Sequence, residues 1–458
     1  MVGSLITVWT PEDRTFWAST GKAVATRNLW ISIPALFLSF AVWMVWSVVV
    51  VRLPEVGFRY TTDQLFWLAA LPGLSGATLR IFYSFVIPIF GGRRWTALST
   101  ASLLVPAIGI GFAVRDPSTS YGTMLALALL CGLGGGNFAS SMANISFFFP
   151  KEQKGTALGL NAGLGNLGVS AMQFLVPLVV TAGIFGTLGG APQASARTGG
   201  PLWLQNAGFV WVPFVLACTV AAWFGMNDLA TAKASFRDQA VVFRRKHNWL
   251  MCWLYVGTFG SFIGYSAGLP LLIKTQFPGV DPVKYAFLGP LVGALVRPVG
   301  GWLSDRLGGA RVTLWNFVAM ALAAGGVIAF LPRDGQGGSF PGFLLLFLVL
   351  FLTSGIGNGS TFRMIPVIFA TLHERRAGGA GPALEAARKE GAKEAAAVLG
   401  FSSAVAAYGA FFIPRAFGIS MNATGSPAGA LVAFIALYVS CLVITWWWFA
   451  RRGAEMPC

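Results

Sequence analysis

The sequence predicts an all-α membrane protein: twelve transmembrane helices arranged as two pseudosymmetric six-helix bundles. Three observations predict it. Hydrophobic residues make up 55% of the 458-residue chain and charged residues only 10%, where soluble domains carry about 25% charged residues. Twelve apolar runs approach or exceed the roughly 20 residues that a helix needs to cross a hydrocarbon core. The two halves of the chain also repeat each other.

The runs are 29–51, 64–89, 95–114, 121–149, 155–186, 207–226, 249–273, 284–304, 312–331, 341–370, 394–419 and 427–450. Several contain Gly or Pro, which a helix tolerates when neighbouring helices satisfy its freed backbone groups. The 57 Gly and 17 Trp fit the same class, since Gly packs membrane helices closely and Trp marks the membrane interface. Segment 1–28 is polar, with Glu12, Asp13, Arg14, Lys22 and Arg27, and has no separate apolar core of a signal peptide. The five cysteines lack metal-ligand spacing, and four lie inside apolar runs. Free thiols are expected, with no metal site and no cofactor.

The net charge of +16 would suggest nucleic acid in a soluble protein. Here its distribution argues otherwise. The connections on the side of both termini hold 21 Lys and Arg, and the opposite connections hold 8. The positive-inside rule then places both termini in the cytoplasm. The expected domains are a cytoplasmic N-terminal segment 1–28, a first bundle 29–226, a cytoplasmic linker 227–248, a second bundle 249–450 and a cytoplasmic tail 451–458. Connection 371–393, with Glu385 and Lys389 at i,i+4 spacing, reads as a short surface helix or, the favoured reading, simply as a solvated connector.

The repeat is direct. A shift of 217 residues places Gly76-Ala77-x-x-Arg80 on Gly293-Ala294-x-x-Arg297, and Gly91-Gly92-x-Arg94-x-Thr96 on Gly308-Gly309-x-Arg311-x-Thr313. Shifts of 221 and 241 align Gly136-Asn137 with Gly357-Asn358, and Gly159 and Gly168 with Gly400 and Gly409. Transporters built from structural repeats show such self-similarity. Stretch 300–311, Gly-Gly-Trp-Leu-Ser-Asp-Arg-Leu-Gly-Gly-Ala-Arg, resembles the loop signature of the major facilitator superfamily. The first-half loop keeps Gly91-Gly92-Arg93-Arg94 and lacks the acid that Asp305 supplies.

Arg80 and Arg297 lie inside apolar runs at equivalent positions, each 11 residues before its Gly-Gly turn. At about 1.5 Å per helical residue that distance is roughly 16 Å, near the middle of a core about 30 Å thick. A guanidinium there costs at least about 2.5–3.5 kcal/mol and does not deprotonate. All 16 acids fall in loops or near span ends. The missing counter-charge is therefore expected to be a small inorganic anion, held between the arginines. Asn137, Asn144, Asn161, Asn166 and Asn358 offer neutral amide donors in the spans.

Further motifs narrow the anion. Gly155-Thr-Ala-Leu-Gly-Leu-Asn161-Ala-Gly-Leu-Gly-Asn166-Leu-Gly168 resembles the nitrate signature of the nitrate/nitrite porter (NarK-type) family. Ala397-Val-Leu-Gly400-Phe-Ser402-Ser403-Ala-Val-Ala-Ala-Tyr-Gly409 is similar to its partner signature. Stretches 136–150 and 224–230 also resemble members of this family. The resemblance implies the major facilitator fold and transport of nitrate and nitrite by alternating access. It implies that Arg80 and Arg297 clamp the anion and that Asn166 and Tyr255 donate to it. Phe40, Phe138 and Phe259 would wall the site, and Ser403 would contribute from the partner signature. Arg363 departs from the family, which has a neutral polar residue there, and is open to a gate, snorkelling or anion-contact role.

An enzyme is not expected, because the spans offer no midplane Asp or Glu and both histidines, His247 and His373, flank loops. An anion sensor would need an output domain that the short termini lack. The expected protein is a monomeric, multi-pass nitrate/nitrite antiporter of the bacterial inner membrane, with the lipid bilayer as its surroundings and no nucleic-acid partner. Proton-coupled nitrate symport is the alternative.

Overall fold

The computed structural model describes residues 5–230, 232, 243–332, 337–377 and 381–458. Twelve helices in it are long and apolar enough to cross a membrane. They are α1 (Arg14–Val56), α2 (Thr62–Tyr83), α3 (Gly92–Ala113), α4 (Tyr121–Phe148), α5 (Lys151–Val179), α6 (Asn206–Gly225), α7 (Lys246–Gln276), α8 (Pro282–Leu307), α9 (Gly309–Ala329), α10 (Phe340–Ala377), α11 (Pro382–Thr424) and α12 (Ala428–Ala450). Local chemistry sets their ends. The Thr61 hydroxyl accepts from the Gln64 N–H while the Gln64 side chain accepts from the Thr61 N–H, and this reciprocal cap starts α2. Ser120 caps α4 by accepting from the Thr123 N–H.

Three boundaries differ from the sequence reading. The polar 1–28 segment is not a plain tail. Asp13 accepts from the N–H groups of Thr15 and Phe16 and starts α1 there, and Ile6, Trp9 and Val24 join Phe148, Phe149 and Leu229 in one apolar cluster. Two-residue strands β1 (Leu5–Ile6) and β4 (Asp228–Leu229) pair in parallel, and β2 (Gln193–Ala194) pairs with β3 (Pro201–Leu202) within the 181–206 connection. Nor does 371–393 form a separate surface helix. α10 continues to Ala377 and α11 starts at Pro382, so Glu385 and Lys389 pair at 3.5 Å within α11. Pro at a first helical turn followed by an Ala-, Glu- and Lys-rich stretch gives the helix no reason to stop before the span. Finally, α5 ends at Val179, short of the expected 186. Half of the linker read as 227–248, positions 231 and 233–242, lies outside the described residues.

The repeat has a physical counterpart. Gly91 (φ +83°) and Gly308 (φ +87°) make equivalent left-handed turns immediately before α3 and α9, a conformation that a side chain would strain. The arginine-bearing helices α2 and α8 also pack alike. A methyl group on Gly135 of α4 would lie 2.7 Å from the Gly76 Cα, and one on Gly355 of α10 would lie 2.3 Å from the Gly293 carbonyl oxygen. In each half, glycine lets the backbones approach as closely as this.

The acid that the first-half turn lacks in sequence arrives from elsewhere. Asp228, just after α6, accepts from the Arg93 N–H (2.8 Å) and from Arg93 Nε (3.3 Å). Its own position is fixed by Asn227, whose N–H donates to the Asn28 side-chain oxygen (2.9 Å) and whose side-chain oxygen accepts from Arg27 Nη2 (2.6 Å). This gives the 224–230 motif a structural task.

Close packing groups the chain into two units. One contains the described residues of Met1–Lys233 with Ser266–Leu291 and Ala410–Gly418. The other contains those of Ala234–Tyr265 with Val292–Gly409 and Ile419–Cys458. Segments 266–291 and 410–418 thus pack with the first unit although they belong to the second half in sequence.

Replacing Asp228 with Ala should strand the Arg93 N–H and cost about 1–3 kcal/mol. The thermal midpoint of the purified protein should fall by several degrees, and Asp228→Asn, which keeps an acceptor, should lose less. An unchanged midpoint in the Ala variant would deny Asp228 this role.

Candidate anion site

Each arginine is assembled within its own unit. Arg80 is fully buried in α2. Its Nε donates to the Gly135 carbonyl of α4 (2.9 Å). Its guanidinium carbon lies 5.2 Å from the Trp43 ring centre and 4.9 Å from that of Phe138. Both rings are within cation–π reach. Phe40 extends the aromatic group, tilted against Trp43 (5.6 Å) and edge-on to Phe138 (6.1 Å). The structure therefore brings Arg80, Phe40 and Phe138 together. It adds Trp43, whose indole N–H donates to the Pro72 carbonyl (2.6 Å).

Arg80 does not sit on an unbroken helix reaching its glycine turn. α2 ends at Tyr83, and a single helical turn, Ile87–Phe90, resumes before Gly91. At the break, Ser84 donates to the Arg80 carbonyl through both its N–H (3.2 Å) and its hydroxyl (2.9 Å). The uniform helical rise applied to this stretch in the sequence therefore does not hold. It does hold for Arg297, which lies within the continuous helix Leu288–Leu307.

Asn166 is buried on α5. Helix α5 meets α1 through glycines: a methyl group on Gly165 would lie 2.7 Å from the Leu36 side chain, and one on Gly168 would lie 2.1 Å from the Phe37 carbonyl oxygen. Neither the nitrogen nor the oxygen of the Asn166 amide has a hydrogen-bond partner among the described residues. Buried amides are nearly always satisfied, so both ends bare is a specific signal.

In the second unit, Arg297 Nη2 donates to the Tyr255 hydroxyl (3.3 Å), while Nη1 is buried without a hydrogen-bond partner among the described residues. Its guanidinium carbon lies 5.3 Å from the Phe362 ring centre. Arg297 forms no ion pair among the described residues. Tyr255 stacks on Phe259 at 5.5 Å and 21°. A π-helical turn, Val256–Gly260, produces this arrangement within α7; such turns recur at functional sites. Ser403 is buried and donates to the Gly400 carbonyl of its own helix (2.9 Å), and no described contact joins it to Arg297. Arg363 is outside this group. Its side chain is half exposed, and its Nε donates to Asp305 (2.5 Å). Its open role thus resolves to the partner of the signature-loop acid.

Sequence reasoning missed Trp43 and Phe362. Trp43 lies three residues after Phe40, on the same helix face, but seventeen tryptophans hide any one of them. Phe362 was masked by its charged neighbour.

Comparison with known proteins establishes the family. Residues 32–384 match the Major Facilitator Superfamily. The chain is 52% identical over 450 residues to the nitrate/nitrite transporter NarU of Escherichia coli (strain K12), covering 98% of this chain and 96% of the relative. The chain belongs to the nitrate/nitrite porter family of that superfamily. It is also 44% identical over 463 residues to the probable nitrate/nitrite antiporter NarK2 of Thermus thermophilus, covering 100% of this chain and 99% of the relative. A more distant relative is the nitrite extrusion protein of Bacillus subtilis (strain 168), at 24% identity over 93% of this chain and 96% of its own length. The chain is thus a transporter of this family and not an enzyme.

Tyr255→Phe removes one hydroxyl and keeps the stacked ring. A hydrogen bond to a charged group contributes about 1.5–3 kcal/mol, so anion affinity should fall at least tenfold with the thermal midpoint held. Unchanged affinity by titration calorimetry would separate Tyr255 from the site.

Proposed function

We propose that this protein is a nitrate/nitrite antiporter. It imports nitrate in exchange for nitrite by alternating access, with Arg80 and Arg297 acting on the same anion. The observation that carries the reading is the buried Arg297, with Nη1 unpartnered and no acid paired to it among the described residues. A guanidinium kept in that state is matched by a charge that comes and goes. The names of the relatives support nitrate and nitrite as that charge.

The chemistry fits a planar monoanion. A guanidinium edge offers parallel N–H donors to a trigonal oxyanion. The bare amide of Asn166 and the hydroxyl of Tyr255 can add uncharged donors, and the aromatic groups exclude water. Phe40, Phe138 and Phe259 would wall the site, and Ser403 would line it from α11. Sulfate or phosphate would lose more hydration and need more donors than this set supplies.

Exchange follows from the same charges. No carboxylate or histidine is available in mid-span to carry a proton, and arginine stays charged at any physiological pH. With no anion bound, two arginines directed at one site repel, so the empty carrier resists closing around it. Only the loaded carrier crosses readily, with one charge in each direction. The distribution of basic residues supports cytoplasmic termini in a bacterial inner membrane, and a single chain contains both arginines, so a monomer suffices.

Labelled-nitrate uptake into liposomes tests this. Nitrite-loaded liposomes should take up nitrate rapidly and electroneutrally, and empty ones at a small fraction of that rate. Strong uptake into empty liposomes, driven by a pH step and indifferent to internal nitrite, would replace exchange with proton symport.

A further inference from the structure

At the far end of α1 from its start, five charged residues form a mostly buried cluster that anion recognition does not use. Glu55, at the end of α1, is 5% exposed and Arg52 is 7% exposed. The Glu55 carboxylate accepts from Arg52 Nη1 (3.0 Å) and from Lys274 Nζ (3.0 Å). Arg52 Nη2 donates to both oxygens of Asp281 (3.2 and 3.1 Å), and Arg197 Nη1 lies 3.8 Å from Asp281. The 181–206 connection is fastened to the same point, because the Ala196 N–H donates to the Glu55 carbonyl (2.8 Å). Lys274 and Asp281 belong to the second half of the sequence; their partners Arg52 and Glu55 belong to the first.

A second layer lies deeper on α5. Gln173 is fully buried and sits seven residues after Asn166, on the same helix face. Its amide nitrogen donates to the Ser47 hydroxyl (3.0 Å) and to the Ser266 carbonyl of α7 (2.7 Å). Nearby, Arg415 of α11 pairs with Asp63 at the start of α2 (2.8 Å) and lies 4.0 Å from the Trp67 ring centre. All these groups fall in the first packed unit, which contains 266–291 and 410–418.

We infer that the Arg52–Glu55–Lys274–Asp281 cluster, backed by Gln173, is the lock of the gate at this end of the carrier. An alternating-access carrier must part these helix ends to admit an anion, so the bonds form in one state and break in the other. Ionic groups suit that duty. Buried together they lose hydration and gain partners, and parted they regain water, so neither state is held excessively. An apolar seal of the same area would expose its surface to water each time it opened. Three cations face two acids, so an opened lock also leaves a net positive charge at the entrance, which favours anions. The inference rests on alternating access and is independent of which anion is carried.

The test uses the full chain purified in detergent, with Ser266→Cys as reporter. Ser266 is 1% exposed. Reaction with a hydrophilic maleimide is read at that site by peptide mass, so the native cysteines stay in place. Glu55→Gln should speed labelling at least tenfold. Lys274→Met should do the same, and the double variant should be no faster than the faster single one, because the Glu55–Lys274 bond that Lys274→Met removes is already lost in Glu55→Gln. Glu374→Gln, which breaks an exposed pair with Arg388, should leave the rate unchanged. A rate unmoved by Glu55→Gln or, should that variant fail to fold, by Lys274→Met would overturn the lock, as would a doubly accelerated double variant. No anion enters the assay, so failure to bind nitrate would leave this result standing.

Discussion

The structure turns on the cost of burying a guanidinium in a membrane. Arg80 is fully enclosed and Arg297 nearly so, and neither can shed its charge. Each half meets part of that cost with neutral groups. The Gly135 carbonyl and two aromatic faces serve Arg80, and the Tyr255 hydroxyl and one aromatic face serve Arg297. These groups solvate a cation with neutral dipoles and ring faces, and Arg297 Nη1 is left without a hydrogen-bond partner among the described residues.

Much of the surrounding architecture follows from bringing those neutral groups close. Arg80 reaches the Gly135 carbonyl because Gly76 and Gly135 allow α2 and α4 to touch backbone to backbone. Trp43 fits against the same glycines: a methyl group on Gly76 would lie 2.5 Å from its indole nitrogen. In the second half, the π-helical turn in α7 stacks Phe259 on Tyr255 while the phenol accepts from Arg297. The two halves use related helix packing and different donors.

The twelve spans and the repeat were legible because hydrophobic length and glycine spacing are local properties of the chain. Arg80 and Arg297 stood out because a charge in an apolar run has few explanations. What the sequence hid was carried by distance. The acid missing from the first-half turn is supplied by Asp228, 135 residues beyond Arg93, and no spacing rule reaches that far. The partner of Arg363 is likewise Asp305, 58 residues away. The start of α11 at Pro382 was obscured because a charged stretch reads as loop by hydropathy although its residues favour helix. The break after Tyr83 precedes Pro88, which stands in the first turn of the resumed helix and cannot donate back to residue 84; the hydropathy of the run masked that signal. Tyr255 and Phe259 came from family resemblance, without which such aromatics read as packing residues; Asn166 was one of five candidate amides in the spans, and the resemblance singled it out.

The central claim is that Arg80 and Arg297 form one anion site and act through their planar donor geometry. Calorimetric titration of nitrate into the purified protein tests it most directly. The account predicts one nitrate per chain, and near-complete loss of binding in Arg80→Lys and in Arg297→Lys, although both variants keep the charge, because lysine is a point donor without the fork. Near-native binding in either lysine variant, or two independent nitrates per chain, would contradict it.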